Sequence, residues 1–419
     1  MTGIYNLSIA LYVLLIRMVS PFNKKAALWV IGRKNIFKKL QETFSGNTKP
    51  IVWFHVASLG EFEQARTVIE AFRSVYPNYR ILLTFFSPSG YEIRKNYTGA
   101  DDIFYLPADT RKNAQQFLSI TKPALVLFVK YEFWFHYLDE VHKRKIPTIL
   151  FSAIFRNGQP FFSKYTSFYK NILTCFTWLF VQDTTSLELL KTINLSNASV
   201  IGDTRFDRVK QLCDNKKKLP IAAIFKNNKQ LFIIGSAWKA DIDILIPFIK
   251  NPEFKELKFI IAPHEIHPEE LKNWQERINK SSILYSDANA TNVTDKDILI
   301  INNIGMLSSL YQYAEYAWIG GAYGRGLHNI LEAATFGMPI FFGTNYKKFR
   351  EAKELIKKGI AFSIKDLPDF TTSFLPIWKE ETMRKKLAEQ SRDYIKNNTG
   401  ATEAILKYIS TIITTGTKA

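Results

Sequence analysis

From Pro50 onward the chain repeats one pattern: a short continuous apolar run, a turn of small or polar residues, then an amphipathic stretch. The first runs are I-V-W-F-H-V (51–56), R-I-L-L-T-F (80–85), A-L-V-L-F-V (124–129), T-I-L-F-S-A (148–153), W-L-F-V-Q (178–182) and S-V-I-G (199–202). Apolar runs separated by helical stretches predict parallel strands buried on both sheet faces. The polar segment D-N-K-K-K-L-P (214–220) breaks the pattern and reads as a linker. The pattern then restarts with L-F-I-I-G-S (231–236), K-F-I-I-A-P (258–263), D-I-L-I-I-N (297–302), Y-A-W-I-G-G (316–321) and M-P-I-F-F-G (338–343). Helices are expected between them, including 305–313 and 328–336, and a charged helical stretch from Ile377 to Ile412 follows. The expected fold class is α/β: two doubly wound Rossmann-like domains, 46–213 and 221–419, facing across a cleft. Ligands in such domains sit at the C-terminal ends of the strands. A length of 419 residues suits two domains. With 47% hydrophobic and 22% charged residues, the chain is neither disordered nor a polytopic membrane protein.

Residues 1–45 stand apart. Ile4 to Val19 form an apolar run, interrupted by Asn6, Ser8 and Arg17. It falls just short of the roughly 20 residues that a membrane span wants. Lys24, Lys25, Arg33, Lys34, Lys38 and Lys39 follow, with Phe22 and Trp29 among them. An apolar helix beside aromatic and basic residues suits a membrane interface. The basic residues follow the run instead of preceding it, so a cleavable signal peptide is disfavoured. The net charge of +18 attracts polyanions, whether anionic lipid, phosphorylated substrate or nucleic acid. No RNA-binding aromatic motif or helix-turn-helix pattern accompanies it, so nucleic acid is not the expected partner. Two cysteines, Cys175 and Cys213, build neither a disulfide framework nor a cysteine zinc site.

The common catalytic motifs are missing: no G-x-G-x-x-G after a strand, no P-loop, no G-x-S-x-G, no H-E-x-x-H. Asp241 and Asp243, and likewise Asp295 and Asp297, form D-x-D triplets. The first falls where a helix starts, where acids complement the dipole, and the second in a polar turn. No metal ligand is assigned to either. Four constellations remain, each just after a strand. In H-V-A-S-L-G-E-F-E (55–63), Ser58 and Gly60 turn the chain into a helix and Glu61 stands at its start, placed to take a proton. In F-V-K-Y-E-F-W (128–134), Lys130 and Glu132 leave a buried strand among aromatic rings; they suit a carbohydrate or a salt-bridged loop. In Trp318–Ala334, Gly320-Gly321 end a strand and a loop with Arg325 leads to a helix beginning near His328 and Asn329, a start suited to phosphate. Glu332 follows His328 by four residues, on the same expected helix face. In I-A-P-H-E-I-H-P-E-E (261–270), His264 and His267 are candidates for a phosphate or carboxylate.

Together these elements resemble the Kdo (3-deoxy-D-manno-octulosonic acid) transferases of lipopolysaccharide synthesis. W-F-H-V-A-S-L-G-E matches the family's W-x-H-x-x-S-x-G-E, which places Glu61 at the catalytic base. K-Y-E-F-W-F is similar to E-x-E-L-W-P, so Glu132 matches its second glutamate and Lys130 replaces the first. G-D-T-R-F-D (202–207) resembles G-S-x-K-F-D, with Arg205 at the lysine. I-G-M-L-S-S-L-Y (304–311) resembles M-G-E-L-x-x-L-Y and brings in Gly305. G-G-A-Y-G-R-G-L-H-N-I-L-E-A-A is similar to G-G-S-x-x-x-x-G-G-H-N-x-x-E-A-A. P-R-H-P-E-R becomes P-H-E-I-H-P-E-E, where His264 or His267 replaces an arginine.

The resemblance implies a GT-B fold and an inverting, metal-independent transfer of Kdo from CMP-Kdo to a lipid A precursor. No cofactor is implied. Residues 46–213 would bind the acceptor, with Ser58, Gly60, Lys130 and Glu132. Residues 221–419 would bind the donor, with Gly305, Gly321, Arg325, His328, Asn329, Glu332, His264 and His267, and with Arg205 also assigned to it. The enzyme would work at the cytoplasmic face of the inner membrane, its basic N-terminal segment on the anionic surface. The rivals are another GT-B transferase or epimerase using a UDP-sugar, and a non-catalytic protein binding anionic glycolipid.

Overall fold

The computed structural model describes residues 1–163, 167–324 and 326–416. They form two compact units: residues 1–208 with 399–419, and residues 209–398.

The first unit holds a seven-stranded parallel sheet: β1 (Ile51–Val56), β2 (Arg80–Phe85), β3 (Asp102–Tyr105), β4 (Pro123–Val129), β5 (Thr148–Ala153), β6 (Trp178–Val181) and β7 (Ala198–Val200). Their order is β3-β2-β1-β4-β5-β6-β7, so the winding reverses between β1 and β4. Every residue of β1 is buried, because both faces are covered. Trp53, Phe128 and Leu150 pack on one face, with Leu40 and Phe117 of the covering helices. Phe54, Leu127 and Ile149 pack on the other, with Phe62 and Val68 of helix 59–75.

The second unit repeats the design: β8 (Gln230–Ala237), β9 (Leu257–Pro263), β10 (Ser282–Leu284), β11 (Ile298–Ile300), β12 (Tyr316–Ile319), β13 (Ile340–Phe342) and β14 (Ala361–Ser363). Its order is β10-β11-β9-β8-β12-β13-β14, and the winding reverses between β8 and β12. Phe232, Phe259, Trp318 and Phe341 pack against Phe370, Phe374 and Ile377 of helix 367–379.

Two expectations about domain limits change. The terminal helix Ala401–Gly416 was expected with the second domain, yet it belongs to the first unit. Its Ile405 and Ile409 are fully buried against the β1 face, a contribution of about 1.5–3 kcal/mol each. Asp207 secures its start by accepting hydrogen bonds from the N–H groups of Gly400 (2.6 Å) and Thr402 (2.7 Å). Of the expected linker 214–220, Asp214 and Pro220 belong to helices Thr204–Asp214 and Pro220–Lys226, and the whole segment lies inside the second unit. There the Leu219 N–H donates to the Tyr313 hydroxyl at 2.8 Å.

Candidate active site

In the first unit, the ends of β1 and β4 meet where the winding reverses, and both carry candidate residues. Ser58 has extended backbone and is the N-cap of helix 59–75. Its hydroxyl does not cap the helix; it donates to the Glu61 carboxylate, which is half-buried. Gly60 is exposed, and a side chain there would meet only the Ser58 Oγ, at 3.8 Å. The turn therefore leaves Glu61 approachable from that side.

Lys130 follows β4 with φ 64°, a left-handed conformation that turns the chain sharply out of the sheet. Its ammonium lies 5.6 Å from the centre of the Tyr131 ring. Glu132, expected to face a sugar, turns inward and is only 7% exposed. Its Oε2 lies 3.1 Å from the His55 Nε2 and accepts from the Trp134 Nε1–H at 2.6 Å. The His55 Nδ1 lies 2.8 Å from the Thr84 Oγ1, which accepts from the Trp53 Nε1–H at 2.7 Å. The Trp134 Nε1–H also lies 3.0 Å from the His55 Nε2, so Glu132, His55 and Trp134 form one buried cluster. Glu132 thus braces the segment after β4 against β1. His55, 77 residues away, was quoted only as part of a motif, and no local signal named its partner.

Arg205 was assigned to the donor side, but it lies in the first unit. Its guanidinium Nε pairs with Asp203 at 2.9 Å. Burial works against ionisation of Asp203, but Arg205 and a hydrogen bond from Gln64 hold its carboxyl below the usual range. The Gln64 Nε2 donates to the Asp203 Oδ1 at 3.0 Å, which ties Arg205 to the helix that carries Glu61.

In the second unit, Asp241 joins the two strand ends at the reversal point. It lies in the first turn of helix 239–250, as the sequence suggested, and is 1% exposed. Its Oδ2 accepts from the N–H groups of Trp238 (2.9 Å) and Gly321 (3.0 Å), and its Oδ1 from the Trp318 Nε1–H (3.1 Å). Burial outweighs those bonds and raises its pKa. Gly321 has φ 93°, and a Cβ there would lie 2.4 Å from the Gly326 carbonyl oxygen, so the position requires glycine.

Three rings gather beside this clamp. The Trp238 Nε1–H donates to the His328 Nε2 at 3.0 Å, with the two rings inclined by only 10°. His264 stacks on both, its ring centre 4.6 Å from Trp238 and 4.1 Å from His328. Burial, aided by His264, pushes His328 down to about 4. It is neutral near pH 7, and because Nε2 accepts, its proton sits on Nδ1. Trp238 was not among the expected site residues. Its signal was a small-residue strand end, G-S-A-W, like the A-S-L-G after β1.

The remaining donor-side expectations divide. The helix expected from His328 begins at Leu331 and has six residues. His328 and Asn329 precede it, so His328 and Glu332 do not share a helix face. Instead the Asn329 Nδ2 donates to the Glu332 Oε1 at 3.0 Å, and the Asn329 Oδ1 accepts from the Leu331 N–H at 3.1 Å. The loop was expected to offer free N–H groups, yet several are used internally: Gly321 by Asp241, and Gly324 and Gly326 by the Gly321 carbonyl. His267 does not join His264; it is exposed and lies 3.2 Å from Glu265. Gly305 is exposed, with φ 91° and open space around it. Arg325 lies outside the described residues. Among those described, no three His, Cys, Asp or Glu side chains group to hold a metal ion. One helix among them, Thr2–Val19, is long and apolar enough to cross a membrane.

Residues 33–208 match the family described as 3-deoxy-D-manno-octulosonic-acid transferase (kdotransferase). A 3-deoxy-D-manno-octulosonic acid transferase of Rickettsia felis is 27% identical over 371 residues, 86% of this chain and 79% of that protein. The fold is that of UDP-GlcNAc 2-epimerase from Neisseria meningitidis, with a TM-score of 0.61 at 14% identity over 87% of this chain and all of that one. It is also that of MurG from Acinetobacter baumannii, with a TM-score of 0.54 at 14% identity over 87% of this chain and 99% of that one. These two likenesses establish a GT-B type of architecture and say nothing of substrate. Residues 33–208 thus match a Kdo transferase domain, and over most of its length the chain is similar to Kdo transferases, which are glycosyltransferases.

Proposed function

We propose that this protein transfers Kdo from CMP-Kdo to a hydroxyl of a lipid A precursor, inverting the anomeric centre and using no metal ion. It would do so at the cytoplasmic face of the inner membrane. The family supports a Kdo transferase with a sugar-nucleotide donor and a glycolipid acceptor. The observation that carries the chemistry is Glu61: a half-buried carboxylate at the end of β1, with Ser58 donating to one oxygen.

Glu61 takes the acceptor's hydroxyl proton as that oxygen bonds to the anomeric carbon. The bond from that carbon to the phosphate oxygen breaks, and CMP leaves with the electron pair. One displacement from the opposite side inverts the centre. Ser58 orients the base. Lys130, just after the neighbouring strand β4, offers a cation to the acceptor's phosphate or carboxylate groups. On the donor side, the His328 Nδ1–H is a neutral hydrogen-bond donor for the leaving phosphate, and Asn329 and Glu332 offer polar contacts to the ribose. Arg325 would add positive charge. Such fixed donors can stabilise a departing phosphate as charge develops.

The test is transfer from CMP-Kdo, generated in situ, to a tetraacylated lipid A precursor in detergent with EDTA, wild type beside Glu61→Gln. Wild-type product, with a loss of about 100-fold or more in the variant, is expected. No product from folded wild type overturns the substrate assignment and directs the search to UDP-sugars. Equal product from both removes Glu61 as the base.

A further inference from the structure

The N-terminal helix, Thr2–Val19, has two opposite faces. Tyr5, Ile9, Val13, Ile16 and Ser20 are half-buried, whereas Ile4, Leu7, Leu11, Leu14 and Met18 are exposed. At about 100° per residue the two sets lie on opposite sides of the helix. The half-buried side is tied to the first unit along its whole length. Near one end, the Tyr5 hydroxyl donates to Asp109, and Asn6 lies 2.6 Å from the His136 Nε2. Asp109 is 2% exposed and also accepts from the N–H groups of His136 and Tyr137, both at 3.1 Å. At mid-length, the Tyr12 ring centre lies 6.0 Å from those of Trp29 and Phe86. Near the other end, Val13 and Arg17 help line an open cavity of ≈ 580 Å³ with Trp29, Phe37, Lys34 and Lys38.

A helix of 18 residues is about 27 Å long, close to the roughly 30 Å of a bilayer core. Length alone would therefore allow a span. The contacts do not. A spanning helix carries Tyr5 and Arg17 to opposite surfaces, but both touch the same globular unit, which stays in water. Asn6 interrupts the apolar run, and together with Tyr5 it holds the helix to the unit. The other side is an apolar stripe facing outward, with Leu7 70% and Ile4 69% exposed. Soluble surfaces seldom keep such a stripe uncovered. Arg17, Lys34 and Lys38 line the cavity at one end of the helix, and the chain carries +18 overall, so the complementary surface is anionic.

We infer that this helix lies in the plane of an anionic phospholipid bilayer without crossing it, its Ile4–Leu7–Leu11–Leu14–Met18 stripe in the acyl region and a lipid phosphate in the Arg17–Lys34–Lys38 cavity. Interfacial helices of this kind bury one face at the headgroup boundary. The inference refines the membrane location proposed above and is independent of the sugar transferred. It also keeps the end of β1 in the same rigid unit as the lipid-facing stripe, so Glu61 works at a set position relative to the membrane.

The test uses the full chain with Cys175→Ser and Cys213→Ser, carrying either Gly3→Cys, where a side chain meets nothing within 4 Å, or Lys191→Cys on the exposed surface of the first unit. Each is labelled with a membrane-impermeant maleimide in inside-out and right-side-out inner-membrane vesicles. Labelling of both from the same side is expected. Labelling of Gly3→Cys only from the opposite side shows a span and overturns the inference while leaving membrane location intact. A chain that does not sediment with the membrane overturns both. Binding to liposomes then separates the two forces. Leu7→Gln/Leu11→Gln/Leu14→Gln should weaken binding about tenfold or more. Arg17→Gln/Lys34→Gln/Lys38→Gln should abolish the preference for phosphatidylglycerol over pure phosphatidylcholine. Unchanged binding in the first variant, or an unchanged preference in the second, refutes the corresponding contact. Unaltered circular dichroism in both variants keeps these outcomes free of unfolding.

Discussion

Trp134→Phe probes the brace that holds the segment after β4. Most of the ring is kept, and with it the contact to Phe86, whose centre lies 4.4 Å away. What is lost is the Nε1–H that donates to the Glu132 Oε2 at 2.6 Å, in a site where Glu132 is only 7% exposed. A hydrogen bond to a charged group contributes about 1.5–3 kcal/mol. The smaller ring forfeits about 1 kcal/mol more in packing. The expected loss is therefore about 2.5–4 kcal/mol. With Glu132→Gln already present, the acceptor is neutral and the same bond contributes about 0.5–1.5 kcal/mol. The two substitutions should thus couple by about 1–2 kcal/mol. Urea unfolding of the full chain, followed by circular dichroism at constant m-value, measures each corner of the cycle. A loss below about 0.5 kcal/mol, or an equal loss in both backgrounds, refutes the charge-assisted brace.

Three other outcomes follow from the same contacts. Burial holds Asp109 up to about 6, so the folded chain keeps a proton that the unfolded chain releases. Its contribution is greatest in acid and is lost as pH rises from about 4 through about 6, on the order of 3 kcal/mol in all; Asp109→Asn should flatten that part of the urea-midpoint profile, and an unchanged slope would contradict the assignment. Nitrogen-15 NMR should show His328 protonated on Nδ1 near pH 7, and titrating well below the ordinary histidine range; a midpoint near 6.5 would remove it as a neutral donor. Asp207→Ala should cost about 0.5–2 kcal/mol and speed amide exchange in residues 401–416 ahead of the rest of the first unit; exchange unchanged there would mean that Asp207 does not secure the terminal helix.

The sequence was most legible where burial is complete. β1, β4, β8 and β12 are fully or nearly fully buried runs, and their ends, carrying Ser58, Lys130, Trp238 and Gly321, coincide with the two reversal points. The strands that escaped notice, β3, β10 and β14, are edge strands of three or four residues, partly exposed, and so lack a continuous apolar run. The late start of helix 331–336 has a local cause: Gly326 has φ 123°, and Asn329 bonds to the Leu331 N–H two residues on. Its side chain competes with helix by making its own turn.

What sequence pattern cannot convey is the partner of an amphipathic face or of a buried polar group. Ile405 and Ile409 read as one apolar stripe whichever unit they cover, and only the fold shows that they close the β1 face. Glu132 reads as a charged residue among aromatics, equally suited to a sugar or to a core. His55 decides between them, because it sits directly opposite Phe128 where β1 pairs with β4. The same logic revises the N-terminal run. Asn6 and Arg17 look like flaws in a membrane span when only hydropathy is counted. In the folded chain Asn6 meets His136, and Arg17 lines the basic cavity. The polar interruptions are therefore what makes this helix a part of the domain, and the apolar residues opposite them are left exposed.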